Sequence, residues 1–300
     1  MNKLSFPPFK KIGLIGRHPQ TSLGETFLAL MAVLAQAKVP FLIEQVSATE
    51  AGIPTSTHQA SIETLKQECD LIVTVGGDGN FLRGARTFYD SHLPIIGINR
   101  GQLGYLTDIH PSTLNDLLPI LQGHYATEER FLLQSEIYRN GQKITQNIAL
   151  NDVVLSPGEV TQMIEFEIHV DGKFLYRQRS DGLILSTPTG STAYSLSAGG
   201  PILHPSIQAF LLTPMMPHSL TSRPIVINSK ATLDIYLSEA NKTSPKLNHD
   251  GQEATSLQVG DKIHLKRAEK TIQLIHPLDY DYYSALRSKL NWSEQPIFKL

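Results

Sequence analysis

The stretch Leu71-Ile-Val-Thr-Val-Gly-Gly-Asp-Gly-Asn80 decides how this chain is read. Its β-favouring residues, Leu71 to Val75, run into a glycine-rich turn that carries a single acid, Asp78. The segment that follows, Phe81-Leu-Arg-Gly-Ala-Arg86, can enter a helix. The pattern predicts strand, loop and helix, with a carboxylate at the sheet edge where open α/β sheets place ligands. Glycines at 76, 77 and 79 let backbone N–H groups converge on an anion, and a helix N-terminus adds positive potential. A phosphate cradle needs no acid of its own. Asp78 therefore points to a group deprotonated beside a phosphate, which is what a kinase does. Composition alone also fits an ordinary tight turn, since Asp and Gly are turn residues. The loop is neither a Walker A sequence nor a Gly-x-Gly-x-x-Gly fingerprint, so the rest of the chain must decide.

On either side of it, strands and helices alternate. Lys10 to Gly16 reads as a first strand, and Leu23, Phe27, Leu28, Met31 and Leu34 form a helical apolar stripe. Pro40 to Val46 reads as a strand, Gln59 to Glu68 as a helix, and Pro94 to Asn99 as a further strand. Arg100-Gly-Gln-Leu-Gly-Tyr-Leu106 then puts Gly101 and Gly104 at the presumed carboxyl edge of the sheet. A short helix from Pro111 to Leu121, with Gly123 as its stop, closes the region. Alternation of this kind predicts an α/β domain built on a parallel sheet with right-handed crossovers.

From about Arg130 the hydrophobic period becomes two. Phe131 to Leu150 around Asn140-Gly141, and Ile164 to Arg179 around Asp171-Gly172, have the form of hairpins with type I′ turns. Ile225 to Leu237 and Gln252 to Ile275 add alternating stretches, so the second half reads as an antiparallel β-sandwich. The expected organisation is an α/β domain over 1–127, a β-rich domain over 128–276, and a tail, 277–300, that packs back on the first domain.

Bulk properties narrow the function. A net charge of −2 gives no broad footprint for nucleic acid. The one cysteine, Cys69, makes no internal disulfide and fits a reducing compartment. The N-terminus lacks the pattern of a secretory signal, and no apolar run is long enough to span a bilayer, so the expected setting is cytoplasmic with no membrane partner. The histidines show no metal-ligand spacing and no Gly-x-Ser-x-Gly is present, so structural zinc and covalent serine catalysis are unsupported.

The β half holds one stretch unlike a strand, Ser180 to Pro201. In it Leu183-Ile-Leu185 runs into Thr187-Pro-Thr-Gly-Ser-Thr-Ala-Tyr-Ser195, and a short helix of small residues stops at Gly199-Gly200-Pro201. Small side chains permit close approach of a ligand or another backbone; an N-capped helix in a crowded core is the other reading. Asn151-Asp152 interrupts an otherwise continuing strand, either as a bulge or as polar groups aimed at sugar hydroxyls. Arg179 and Asp181 read as surface charges, and His249-Asp250-Gly251-Gln252 as a turn.

Taken together and in order, the loop at 76–80, Asn151-Asp152, the block from Arg179 to Pro201 and Asp250-Gly-Gln252 closely resemble the NAD kinases, which use ATP to make NADP from NAD. The resemblance spans most of the chain, its most specific part is the Thr187-to-Ser195 run, and it implies a Rossmann-like (phosphofructokinase-like) parallel-sheet domain before the β-sandwich. It implies that Asp78 is the general base for the 2′-hydroxyl of the adenosine ribose of NAD, which then attacks the γ-phosphate of ATP. It implies that Gly76, Gly77, Gly79 and Asn80 hold the triphosphate, with Mg²⁺ carried by the nucleotide and no protein metal ligand. Asn151 and Asp152 would hold ribose hydroxyls. Thr192, Ala193, Tyr194, Ser195, Leu196 and Ser197 would line the dinucleotide pocket together with Asp78 and Gly79, with Gln162 and Gln252 close by. Arg179 and Asp181 would act near the nicotinamide or across a subunit boundary, in a homodimer or homotetramer. A lipid kinase of the diacylglycerol or sphingosine type shares the loop but should lack the Tyr194 block, and a non-catalytic NAD(P) sensor would have little use for Asp78.

Overall fold

Ile12 to Gly16 and Leu71 to Gly76 are buried along their whole length, as strands are when helices cover both faces of a parallel sheet. The structure, a computed structural model, describes residues 5–17, 22–54, 58–100, 104–158, 162–242 and 244–292. It divides into two units, Met1–Glu129 with Ile272–Leu300, and Arg130–Thr271. Among the described residues no helix is long and apolar enough to cross a membrane.

The first unit begins with β1 (Ile12–Gly16), α1 (Ser22–Ala37), β2 (Phe41–Glu44), α2 (Gln45–Glu50), β3 (Gln59–Ala60) and α3 (Ile62–Glu68). It continues with β4 (Leu71–Gly76), α4 (Asp78–Phe88), β5 (Ile95–Asn99), a 3₁₀ turn at Pro111–Asp116 and α5 (Leu117–Leu121). The strands pair in parallel in the order β5-β4-β1-β2-β3. The chain runs outward from β1 through β2 to β3 and returns on the other side of β1 with β4. The direction of winding therefore reverses between β1 and β4, the point at which such sheets open a crevice. Helix α1 buries Leu23, Phe27, Leu30 and Leu34 completely, whereas Leu28 is 58% exposed. One step along a helix turns about 100°, which carries Leu28 off the face that Phe27 buries. The strand expected to reach Val46 stops at Glu44, whose carboxylate accepts the Ser47 hydroxyl and so favours the turn into α2. The helix expected from Gln59 starts at Ile62, where the Ser61 side chain caps it by accepting the Thr64 N–H at 3.1 Å.

The second unit is antiparallel. It comprises β6 (Ala126–Arg139), whose first residues lie in the first unit, then β7 (Gln142–Ala149), β8 (Asp152–Ser156), β9 (Ile164–Val170) and β10 (Lys173–Ser180). Next come β11 (Gly182–Ser186), α6 (Tyr194–Ser197), β12 (Ala209–Met215), β13 (Ile225–Asn228) and β14 (Leu233–Leu237). The last strands are β15 (Lys246–His249), β16 (Glu253–Ser256) and β17 (Lys262–His276). A six-stranded sheet has the order β13-β12-β11-β8-β15-β16, and the facing sheet runs β10-β9-β14-β17, with β6 beside β17 and β7. Leu133, Phe166 and Ile263 from the latter pack with Leu185, Phe210 and Leu247 from the former in one core, which makes the unit a sandwich. Asn140 and Gly141 (φ 49° and 78°) and Asp171 and Gly172 (φ 49° and 75°) turn the two hairpins with the positive φ pairs of type I′ geometry.

The end of β17 returns to the first unit, where Leu274 pairs in parallel with Ile95. Helix α7 (Tyr282–Leu290) follows in the same unit, N-capped by Asp281, which accepts the Tyr283 N–H at 3.0 Å.

Candidate active site

In the first unit the functional side chain is placed by β4. Gly76 ends the strand with φ 146°, and Asp78 opens α4, where a negative charge is favoured by the helix dipole. The half-buried Asp78 carboxylate is held from outside its own element. Its Oδ2 accepts the Tyr105 N–H at 2.9 Å, and its Oδ1 accepts the Leu106 N–H at 3.2 Å and the Thr107 hydroxyl at 3.3 Å. A carboxylate offers about four acceptor positions, so these donors fix its orientation and leave room for one more hydroxyl. Gly104 is required by space: a Cβ there would stand 2.0 Å from Asp78 Oδ1. Gly101, the other glycine expected at this edge, lies outside the described residues. Asn80 is engaged with the end of β1, its Nδ2 donating to the Arg17 carbonyl at 2.5 Å and its Oδ1 accepting the Arg17 N–H at 3.2 Å. Its side chain thus ties the start of α4 to the end of β1 where the winding reverses, and its N–H donates to the Gly77 carbonyl at 3.0 Å.

In the second unit Asn151, Asp152, Ala193 and Tyr194 line one cleft of about 330 Å³, with Val154, Asn248, Asp250 and Gly251 completing it. Asn151 is not in a bulged strand: β7 has ended and β8 begins at Asp152. The connection is shaped by Asp250, whose carboxylate accepts the backbone N–H groups of Leu150, Asn151 and Asp152 at 3.0, 2.8 and 3.2 Å. From the other side Thr187 donates its N–H to the Asn151 carbonyl (2.9 Å) and its hydroxyl to the Leu150 carbonyl (2.6 Å). Gly190 approaches so closely that a Cβ would meet the Asn151 carbonyl oxygen at 2.1 Å. The small residues of this block therefore serve backbone-to-backbone packing that holds up the cleft. Asn151 Oδ1 is buried with no hydrogen-bond partner among the described residues, an acceptor suited to a ligand hydroxyl. Burial and the Asp250 charge push the Asp152 carboxyl up to about 7. It can therefore accept or donate a hydrogen bond near neutral pH.

Models of two domains match this chain: the ATP-NAD kinase N-terminal domain over residues 26–125 and the ATP-NAD kinase C-terminal domain over residues 150–277. The chain belongs to the ATP-NAD kinase family. Among its relatives, the NAD kinase of Marinobacter nauticus is 46% identical over 289 residues, covering 96% of this chain and 98% of the relative. The NAD kinase of Acinetobacter baylyi is 45% identical over 294 residues, covering 98% and 95%. Yeast NADH kinase, solved with NADH, superposes with a TM-score of 0.86 at 26% identity, covering 96% of this chain and 89% of that one. An Archaeoglobus fulgidus NAD kinase solved with ATP shares the fold, with a TM-score of 0.72 at 23% identity over 93% of this chain and 99% of that one. Family membership over both halves sets aside the lipid-kinase reading.

The other residues that the ATP-NAD kinase pattern singles out fall in different places. Gln162 and Arg179 line a separate hollow of about 590 Å³ with Glu165, Asn241 and Lys242. Asp181 is exposed at the turn from β10 to β11, and Gln252 is exposed at the turn from β15 to β16. Thr192 and Leu196 are partly buried, and Ser197 is exposed. The Thr192 hydroxyl donates to the Thr189 carbonyl at 3.2 Å. Ser195 does not face the cleft. It is fully buried, and its hydroxyl pairs with Thr213 on β12 at 2.7 Å, so its side chain seats α6 on the sheet. Reading the sequence residue by residue saw in Asp250 only part of a turn, and it missed the Tyr105-Leu106-Thr107 cradle and Arg130, which donates to the Thr189 hydroxyl at 2.9 Å.

Proposed function

We propose that this chain transfers the γ-phosphate of ATP to the 2′-hydroxyl of the adenosine ribose of NAD, giving NADP and ADP. The observation that carries the reading is the held Asp78 carboxylate at the start of α4, in a chain that belongs to the ATP-NAD kinase family. Asp78 takes the hydroxyl proton as that oxygen attacks the γ-phosphorus and the bond to ADP breaks. Phosphoryl transfer asks a protein mainly for positioning and charge stabilisation, and the loop of Gly76, Gly77, Gly79 and Asn80 is assigned to the triphosphate. Among the described residues no cluster of His, Cys, Asp and Glu gathers to hold a metal ion. The Mg²⁺ would arrive on the nucleotide. When bound, it neutralises charge on the phosphate oxygens.

The cleft of Asn151, Asp152 and Tyr194 is assigned to the dinucleotide: the unpartnered Asn151 Oδ1 and the half-ionised Asp152 suit ribose hydroxyls, and the exposed Tyr194 ring suits a base face. Gln162 and Arg179 share no lining residue with this cleft; Gln162 is kept as a residue near the dinucleotide, and Arg179 with Asp181 is assigned to the nicotinamide side or to a subunit boundary in a homodimer or homotetramer. Cys69 is buried, and its thiol is pushed up to about 12 by that burial, consistent with an inert thiol in a reducing cytoplasm.

The test is to incubate the protein with NAD, ATP and Mg²⁺ and detect NADP with an NADP-specific dehydrogenase. NADP formed by the wild type and not by Asp78→Asn supports the reaction and its base. Binding of NAD without NADP formation, from either ATP or polyphosphate, overturns it in favour of a sensor.

A further inference from the structure

The cradle that orients Asp78 is itself anchored. Directly after Tyr105, Leu106 and Thr107 comes Asp108, whose Oδ2 lies 2.5 Å from Nδ1 of His276 at the end of β17. His276 is 2% exposed. Its Nε2 lies 3.4 Å from Glu128 Oε2 on β6, within ion-pair reach but without a hydrogen-bond partner among the described residues, and its ring stacks on Tyr280 at 4.0 Å with an interplanar angle of 17°. The next residue, Ile109, bridges to Ile98 of β5, so the segment is fixed beyond Asp108 as well. Asp108 also lines a hollow of about 420 Å³ with Asp116, His124 and Asp279. The charged groups that act on the imidazole are the carboxylates of Asp108, in the loop after β5, and Glu128, on β6.

We propose that His276 is a positioning residue for phosphoryl transfer: as an imidazolium it clamps Asp108, and through the 104–108 segment it holds the Asp78 carboxylate in its working orientation. This rests on the assignment of Asp78 as the base. The protonated ring gives Asp108 a charge-assisted hydrogen bond from Nδ1, and it sets a positive charge within ion-pair reach of Glu128. Burial disfavours that charge, but the hydrogen bond to Asp108 and the two carboxylate charges outweigh it and raise the His276 pKa. Loss of the proton at alkaline pH takes away the charge that strengthens the bond to Asp108 and so weakens the clamp.

The experiment compares kcat and KM for NAD, and their pH profiles, for wild type, His276→Asn, Asp108→Asn and the double variant, with Asp78→Asn beside them. His276→Asn removes the imidazolium charge from beside Asp108 and cannot titrate. The expected result is a fall in kcat of about 10- to 100-fold, the scale of a small misplacement of a catalytic group, with KM for NAD unchanged. The double variant should be no worse than either single one, and the alkaline fall in kcat should disappear with His276→Asn. Circular dichroism and melting of each variant accompany the kinetics; should His276→Asn fail to fold, Asp108→Asn carries the same expectation for kcat, KM and pH profile. Wild-type kcat and an unchanged alkaline limb in the variants that fold overturn the clamp, provided Asp78→Asn is inactive. Turnover retained by Asp78→Asn instead overturns the assignment of the base, whatever the His276 variants do.

Discussion

Asp250 accepts the backbone N–H of Asp152 at 3.2 Å while its charge helps hold that neighbour's own carboxyl near a pKa of about 7. One acid builds the turn, and the acid it positions is left half-protonated at neutral pH. The folded-state value lies above the ordinary 3.8, so the folded chain binds this proton more tightly than the unfolded chain does. The stability from this group is full below about pH 4 and is lost as the pH rises to about 7. Asp152→Asn removes the titration and presents an amide N–H to Asp250. We expect the variant to gain roughly 2–4 kcal/mol over wild type at pH 8, with the gain fading toward pH 4, and its KM for NAD to rise. Urea midpoints of both proteins at several pH values measure this. Parallel stability curves would show that Asp152 ionises as an ordinary carboxylate.

Asp78→Asn separates binding from chemistry. The substituted amide must present a donor to either Tyr105 or Leu106, whose N–H groups now bond both carboxylate oxygens. It therefore loses part of the cradle as well as the base. Turnover should fall by ~10²-fold or more, the scale for a positioned base. NAD affinity, measured by calorimetry, should survive, because the Asn151 cleft is built in the other unit. Near-normal single-turnover rates in this variant would remove Asp78 from the mechanism.

How much of this was legible beforehand follows the range of the interactions. The strand, loop and helix at 71–86 and the two type I′ turns depend on neighbouring residues and on local φ, and they stand where the spacing put them. Strand β12 was not anticipated. Its Ala209-Phe-Leu-Leu-Thr run is buried without alternation between β11 and β13, and Pro214 within it argues against a central strand. The cradle for Asp78 comes from residues 27–29 positions away, and the Asp250 bonds span 98–100 positions. No periodicity reports such contacts. Resemblance supplied the names Tyr194 and Ser195 together but not the fact that one faces the cleft and the other the sheet.

Gly104 tests the cradle without touching a charge. A methyl group there would sit 2.0 Å from Asp78 Oδ1 and 2.1 Å from Thr107 Oγ1, so the carboxylate or the loop must move. Overpacking of this kind costs roughly 1–3 kcal/mol. Gly104→Ala should therefore lower the melting temperature modestly and lower kcat about 10-fold or more, since misplacing a catalytic group is expensive. KM for NAD should hold. A variant with wild-type kcat would mean that the Asp78 orientation seen here is not the one used in turnover.

Adjacent residues on α6 should behave in opposite ways. Tyr194 is 47% exposed and lines the cleft, so Tyr194→Ala removes contact with ligand and little packing. Its KM for NAD should rise with kcat nearly unchanged, the signature of binding that is equal in ground and transition states, and its melting temperature should stay near wild type. Ser195 is fully buried and bonded to Thr213. Ser195→Ala leaves the Thr213 hydroxyl without that partner, at about 1–3 kcal/mol of stability. KM should move little, because the lost hydroxyl points away from the cleft. Thermal melts and NAD titrations on the two variants decide the matter. If Ser195→Ala raises KM at unchanged stability, α6 must rotate when the dinucleotide binds, and Ser195 then belongs to the ligand face after all.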